Sequence, residues 1–175
     1  MQNKQGCLSK LWPFKTSPPR VNNQSGEAQL IAIYNQLHQT LDQQLTRRIP
    51  RQQLEKEARD KAYELGRLGI EQRNQEARIQ AIALDRIATE LSQVMLNRNL
   101  DGERAEKESD LQKAIELYEA NVQDQFMGGH PYERLRIIYR KQKRLQDAKR
   151  ICQAAINNPF LDEKKKAKFQ EWLKK

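Results

Sequence analysis

The stretch PYERLRIIYRKQKRLQDAKRICQAAINNP, residues 131 to 159, decides the fold. Pro131 suits the first position of a helix, because its missing N–H would have had no partner there. Tyr132, Leu135 and Tyr139 follow at three- and four-residue steps, the spacing of one helical face. Ala148, Cys152 and Ala155 repeat that spacing in a second run. Small residues at Ala148 and Ala155 let two helices approach closely, while Leu135 and Tyr139 fill the space between them. Two helices packed through these six residues are therefore expected.

Immediately upstream, LQKAIELYEANVQDQF (Leu111 to Phe126) places Ala114, Ile115, Leu117, Tyr118 and Val122 on a continuous face. Ser109 is expected to cap this helix, with Gln112 in the reciprocal capping position. Met127, Gly128, Gly129 and His130 are expected as the turn that follows. Ala114 precedes Ala148 by 148 − 114 = 34 residues. Downstream, FLDEKKKAKFQEWLKK carries Phe160, Leu161, Ala167, Phe169, Trp172 and Leu173 on an otherwise polar helix.

This pattern resembles the tetratricopeptide repeat, a 34-residue pair of antiparallel helices. Residues 131 to 159 are similar to one repeat, AIELYEANV to the second helix of a preceding one, and the last segment to the helix that closes such arrays. The resemblance covers about residues 111 to 175 and implies an all-α fold built from helical hairpins. It also implies a groove along the exposed side of the first helix of the hairpin, where Glu133, Ile137, Arg140 and Lys141 stand as expected partner-binding residues. Arg136 occupies a place where the family prefers Gly or Ala, and Pro159 arrives one residue early. Glu133 and Ile137 replace the Lys and Asn of members that clamp a peptide terminus, which puts that mode of binding in doubt.

Before the repeat, Leu30, Ile33, Tyr34, Leu37, Leu41 and Leu45 predict a first helix from Glu27 to about Arg48. Pro50 disfavours helical geometry at Ile49, so a second helix is expected from Arg51, with Leu54, Ala58, Ala62, Leu65 and Leu68 on its stripe. Gly66 and Gly69 weaken it by about 1 kcal/mol each relative to alanine, and the sequence leaves open whether it breaks there. A third helix carries the broad face Ala77, Ile79, Ala81, Ile82, Leu84, Ile87, Ala88, Leu91, Val94 and Met95. Asn97 to Ser109, polar and containing Asp101 and Gly102, reads as a loop or frayed end. The expected organisation is a basic tail (1–26), a helical N-terminal region (27–100), a polar loop (101–110) and the repeat with its closing helix (111–175).

Composition agrees with helices. Of the 175 residues 37% are hydrophobic and 31% charged, while 7 Gly and 6 Pro leave little turn chemistry for a many-stranded sheet. No apolar run of about 18 residues is present, and the start, MQNKQGCLSKLWPFK, lacks a secretory apolar stretch. A cytoplasmic location follows as the expectation, with Cys7 and Cys152 both reduced.

Catalytic chemistry has no evident constellation. The two histidines, His38 and His130, are far apart in the chain, no metal-ligand spacing occurs, and Gly128–Gly129 lacks the Lys and hydroxyl of a phosphate loop. No catalytic, cofactor or metal site is expected, and a non-enzymatic adaptor that binds a protein or peptide is the leading reading. Ile137 with Arg140 and Lys141 matches a segment that mixes acidic and apolar residues, and the net charge of +9 attracts anions of any kind. It also motivates two alternatives: nucleic-acid binding through Lys141, Lys143, Arg144, Lys149 and Arg150, and peripheral membrane attachment through Leu11, Trp12 and Phe14 between basic residues of the tail. A monomer is expected, because the first helix lacks strict heptads.

Overall fold

A computed structural model describes residues 26–174. Its helices are α1 (Gly26–Thr46), α2 (Arg51–Glu71), α3 (Gln75–Lys107), α4 (Leu111–Gln123), α5 (His130–Lys141), α6 (Leu145–Asn157) and α7 (Glu163–Leu173). No strand occurs among the described residues, as the all-α reading requires. Among the described residues no helix is long and apolar enough to cross a membrane. The tail residues Cys7, Leu11, Trp12 and Phe14 lie outside the described residues.

The chain divides into two compact units. The described part of the first comprises residues 26–49 and 53–91. Leu37 and Leu41 of α1, Leu54, Ala58 and Ala62 of α2, and Ala83, Leu84, Ile87, Ala88 and Leu91 of α3 form its core. Helix α1 ends at Thr46, where Arg48 turns into left-handed backbone at φ 59°, and Pro50 separates it from α2. Both Gly66 and Gly69 lie inside α2, which continues to Glu71. At Gly69 a Cβ would stand 2.5 Å from Arg78 Cγ and 3.0 Å from its backbone nitrogen, so glycine is needed for this close approach of α3. Ile82 and Val94, expected on the buried face of the third helix, are instead exposed.

The second unit comprises residues 50–52 and 92–174 of the described chain. Its core joins Ala105, Ala114, Ile115, Tyr118, Tyr132, Leu135, Ile138, Tyr139, Ala148, Ile151, Cys152, Ala155, Leu161 and Phe169. All six residues expected to pack the hairpin are in it.

The expected loop at 101–110 is a correction: α3 runs to Lys107, and only three residues separate it from α4. Asn99, Gly102 and Glu106, at steps of three and four, continue the helical face of Met95 with small and polar side chains. Asn121 of α4 donates through Nδ2 to Met95 O (2.8 Å) and Asn99 Oδ1 (3.0 Å), and Tyr118 lies against Gly102. The cap is also corrected. Asp110 Oδ1, not Ser109, accepts from Lys113 N (3.1 Å), because Ser109 has a φ of 64°. At its other end α4 stops at Gln123, short of the expected Phe126, with Gln125 in left-handed backbone at φ 56°.

The α3–α4 turn recurs 34 residues later. Helices α4 and α6 each hold 13 residues and start at 111 and 145, so 145 − 111 = 34. The left-handed residues Ser109 and Lys143 have the same offset. So do the closing backbone bonds: Glu108 N to Arg104 O, Ser109 N to Glu106 O and Asp110 N to Ala105 O are matched by Gln142 to Ile138, Lys143 to Arg140 and Arg144 to Tyr139. By this offset the end of α3 stands before α4 as α5 stands before α6.

Candidate partner-binding surface

Helix α5 divides its faces between core and surface. Pro131, Tyr132, Leu135, Ile138 and Tyr139 are buried. Their polar tips are anchored: Tyr139 Oη donates to Glu119 Oε1 (2.5 Å), and Tyr132 Oη accepts from Asn158 Nδ2 (2.8 Å). Burial first, with the Glu119 bond second, pushes the Tyr139 hydroxyl up to about 12, and burial alone pushes up Tyr132 to about 12. Both stay protonated donors at neutral pH.

The flanks of α5 reach the neighbouring helices. On one side Arg134 forms a two-bond ion pair with Glu106 of α3, and His130 Nε2 lies 3.1 Å from Glu103 Oε1. Arg134 holds the Glu106 carboxyl below the usual range, and Tyr118 Oη, donating at 2.9 Å, adds to that. On the other side Arg136 lays its guanidinium over the Trp172 ring of α7, 3.7 Å from the centroid. The large residue at a position where Gly or Ala was expected is accommodated by stacking on the closing helix.

Between these flanks lie the four residues singled out from the sequence. Glu133 and Ile137 are half-buried, and Arg140 and Lys141 are exposed. Ile137 is outside the core cluster. Glu133, Arg140 and Lys141 make no ion pair among the described residues, nor do Arg136 and Lys143. Many other arginines of this unit are paired: Arg51 and Arg98 with Asp124, Arg134 with Glu106, Arg144 with Asp147 and Arg150 with Glu119. Lys149 of α6 is a further unpaired cation, but the α5 group is set apart by the apolar Ile137 and Trp172 within it.

Sequence reasoning missed Arg136 and Trp172 as members of this surface. Arg136 shares a face with Arg140 at an i,i+4 spacing, a signal that was present in the sequence. The contact with Trp172, 172 − 136 = 36 residues away, had none.

Elsewhere, Arg144 and Arg150, expected among the nucleic-acid-contacting cations, are engaged with Asp147 and Glu119. Among the described residues no group of three or more His, Cys, Asp or Glu is placed to hold a metal ion. His38 bonds to Tyr34 and Glu90 at 2.9 Å each in the first unit. No family model matches the chain, and no curated protein or solved structure is significantly similar to it.

Proposed function

We propose that the chain is a non-catalytic protein-binding adaptor, in which a tetratricopeptide-type repeat in the second unit holds an acidic and apolar segment of a partner against the outer face of α5. The observation that carries this reading is the group of unpaired cations Arg136, Arg140 and Lys141 on the same side of α5 as Ile137, with Arg136 stacked on Trp172. Cations left without internal partners, beside apolar surface, match a ligand that brings carboxylates and a hydrophobic side chain together. The 34-residue recurrence of turn, helix length and closing hydrogen bonds supports the repeat assignment.

The test compares quantitative co-purification by wild-type chain and by the double variant Arg140→Glu/Lys141→Glu, with circular dichroism to show that both are folded. Loss of the acidic partners from the variant is the expected result, and added salt should weaken the wild-type complex through screening. Retention of the same partners at the same yield would remove α5 from consideration. A labelled single-stranded RNA bound more tightly than any protein partner would favour the nucleic-acid alternative.

A further inference from the structure

Arg136 is the cation of α5 whose charge the fold leaves least satisfied. Its Nε is buried without a hydrogen-bond partner, and its side-chain nitrogens form no ion pair or hydrogen bond to a protein acceptor among the described residues. Burial lowers its pKa; Cys152 opposes this most, the nearby charge of Arg140 adds to it, and Glu133 opposes it last. The guanidinium remains protonated at any physiological pH, so the cost of its partial desolvation is carried by the free protein. Its Cζ lies 3.7 Å from the centroid of the Trp172 ring, a contact that restricts its rotamers before any ligand arrives.

With Nε buried, the two Nη groups are left to a ligand, and they present the parallel N–H donors that a carboxylate accepts in two-bond fashion. Arg140, one turn along the same helix, adds a second positive charge to the same approach.

We infer that Arg136, stacked on Trp172, is a specificity-determining carboxylate subsite that receives an Asp or Glu side chain of the docked segment, with Arg140 assisting by charge. The inference rests on the reading of α5 as the docking face and deepens it. A carboxylate in that place would neutralise the cation and use donors that the fold leaves unused. Arg136 selects by planar geometry, whereas Arg140 and Lys141 attract by charge from a solvent-exposed rim.

The experiment selects random peptides displayed on phage against the full chain, then measures the enriched synthetic peptides by fluorescence anisotropy. Binding is compared for wild type, Arg136→Lys, Arg136→Gln, Trp172→Leu and Arg140→Glu/Lys141→Glu. The expected peptides contain Asp or Glu next to an apolar residue. Arg136→Lys, which keeps the charge and loses the planar fork, should weaken them about tenfold, and Arg136→Gln by more. Trp172→Leu should fall between wild type and Arg136→Lys. A peptide amide analogue with Gln or Asn in place of the acid should bind wild type and Arg136→Gln equally.

If both Arg136 variants, shown by melting to be folded, bind the acidic peptides as wild type does, the subsite is wrong. In that case loss of binding by Arg140→Glu/Lys141→Glu would still uphold the docking face. Enriched peptides without acidic residues, or no enrichment at all, would overturn the subsite and the docking face together. Peptides that bind only when phosphorylated would overturn the carboxylate assignment in favour of a phosphate ligand.

Discussion

At the scale of single residues, Gly102 and Glu106 show how the second unit is held. A Cβ at Gly102 would lie 2.5 Å from Tyr118 Cε1 and 2.7 Å from Cζ, and Tyr118 is fully buried. The ring has no free direction in which to move. Gly102→Ala should therefore destabilise by about 1 to 3 kcal/mol through overpacking, although alanine is the better helix former by about 1 kcal/mol. Thermal melting reads the net sign, and a rise in stability would mean that Tyr118 is not locked. Glu106 gives a pH dependence. Its folded pKa lies below the ordinary 4.5, chiefly through Arg134 and then Tyr118, so the folded state gives up this proton more readily than the unfolded chain. Its contribution is complete above about pH 4.5 and is lost as pH falls through the folded value. The melting difference between wild type and Glu106→Gln should accordingly be largest near neutral pH and shrink below pH 4.5. A constant difference across that window would contradict the assigned ion pair.

At the scale of elements, one carboxylate joins three separate stretches of the second unit, at Arg51, Arg98 and Asp124. Asp124, at the end of α4, accepts from Arg51 N (3.2 Å) and Arg51 Nη1 (2.9 Å) at the start of α2, and from Arg98 Nη1 of α3 (2.5 Å). Gln52 N donates to the Asp124 carbonyl at 3.1 Å, and Gln52 Oε1 in turn accepts from Met127 N at 3.1 Å. Asp124→Asn removes the charge with little change in size and leaves two guanidiniums unpaired. The expected cost is about 2 to 3 kcal/mol, below that of a fully buried pair because Arg51 and Arg98 keep 26% and 21% of their side-chain surface open. Urea unfolding with an unchanged m-value would measure it, and a loss under about 0.5 kcal/mol would mean that the pair is solvent-screened. The helices with Leu, Ile, Tyr or Ala at regular steps were legible in the sequence, because burial writes their period in apolar side chains. The end of α3 was not, since its buried face is Asn99, Gly102, Ala105 and the paired Glu106, whose partners come from α4 and α5. Asp124 and Arg51 were illegible for the same reason: 124 − 51 = 73 residues separate a pair that only the folded unit brings together.

At the scale of the whole molecule, the first unit uses the stripe of α1 internally, with Leu37 and Leu41 in its core and Leu30, Ile33, Tyr34 and Leu45 packed against it. No apolar stripe of α1 is left over for a second copy, and light scattering should give a monomer mass independent of concentration. A stable dimer would contradict this use of α1. In the second unit the exposure of Arg140 and Lys141 was legible from helical spacing, whereas the surroundings of this face were not, since Arg134 and Arg136 are turned to opposite flanks by Glu106 and Trp172. The central claim is that an acidic and apolar segment docks on this face. Amide chemical-shift mapping of the full chain, titrated with an acidic peptide from the display selection, tests it most directly. The account predicts saturable shifts concentrated at residues 133–141 and at the Trp172 indole, and their loss in Arg140→Glu/Lys141→Glu. Shifts spread evenly over every lysine-bearing surface, or centred on α1 and α2, would contradict it.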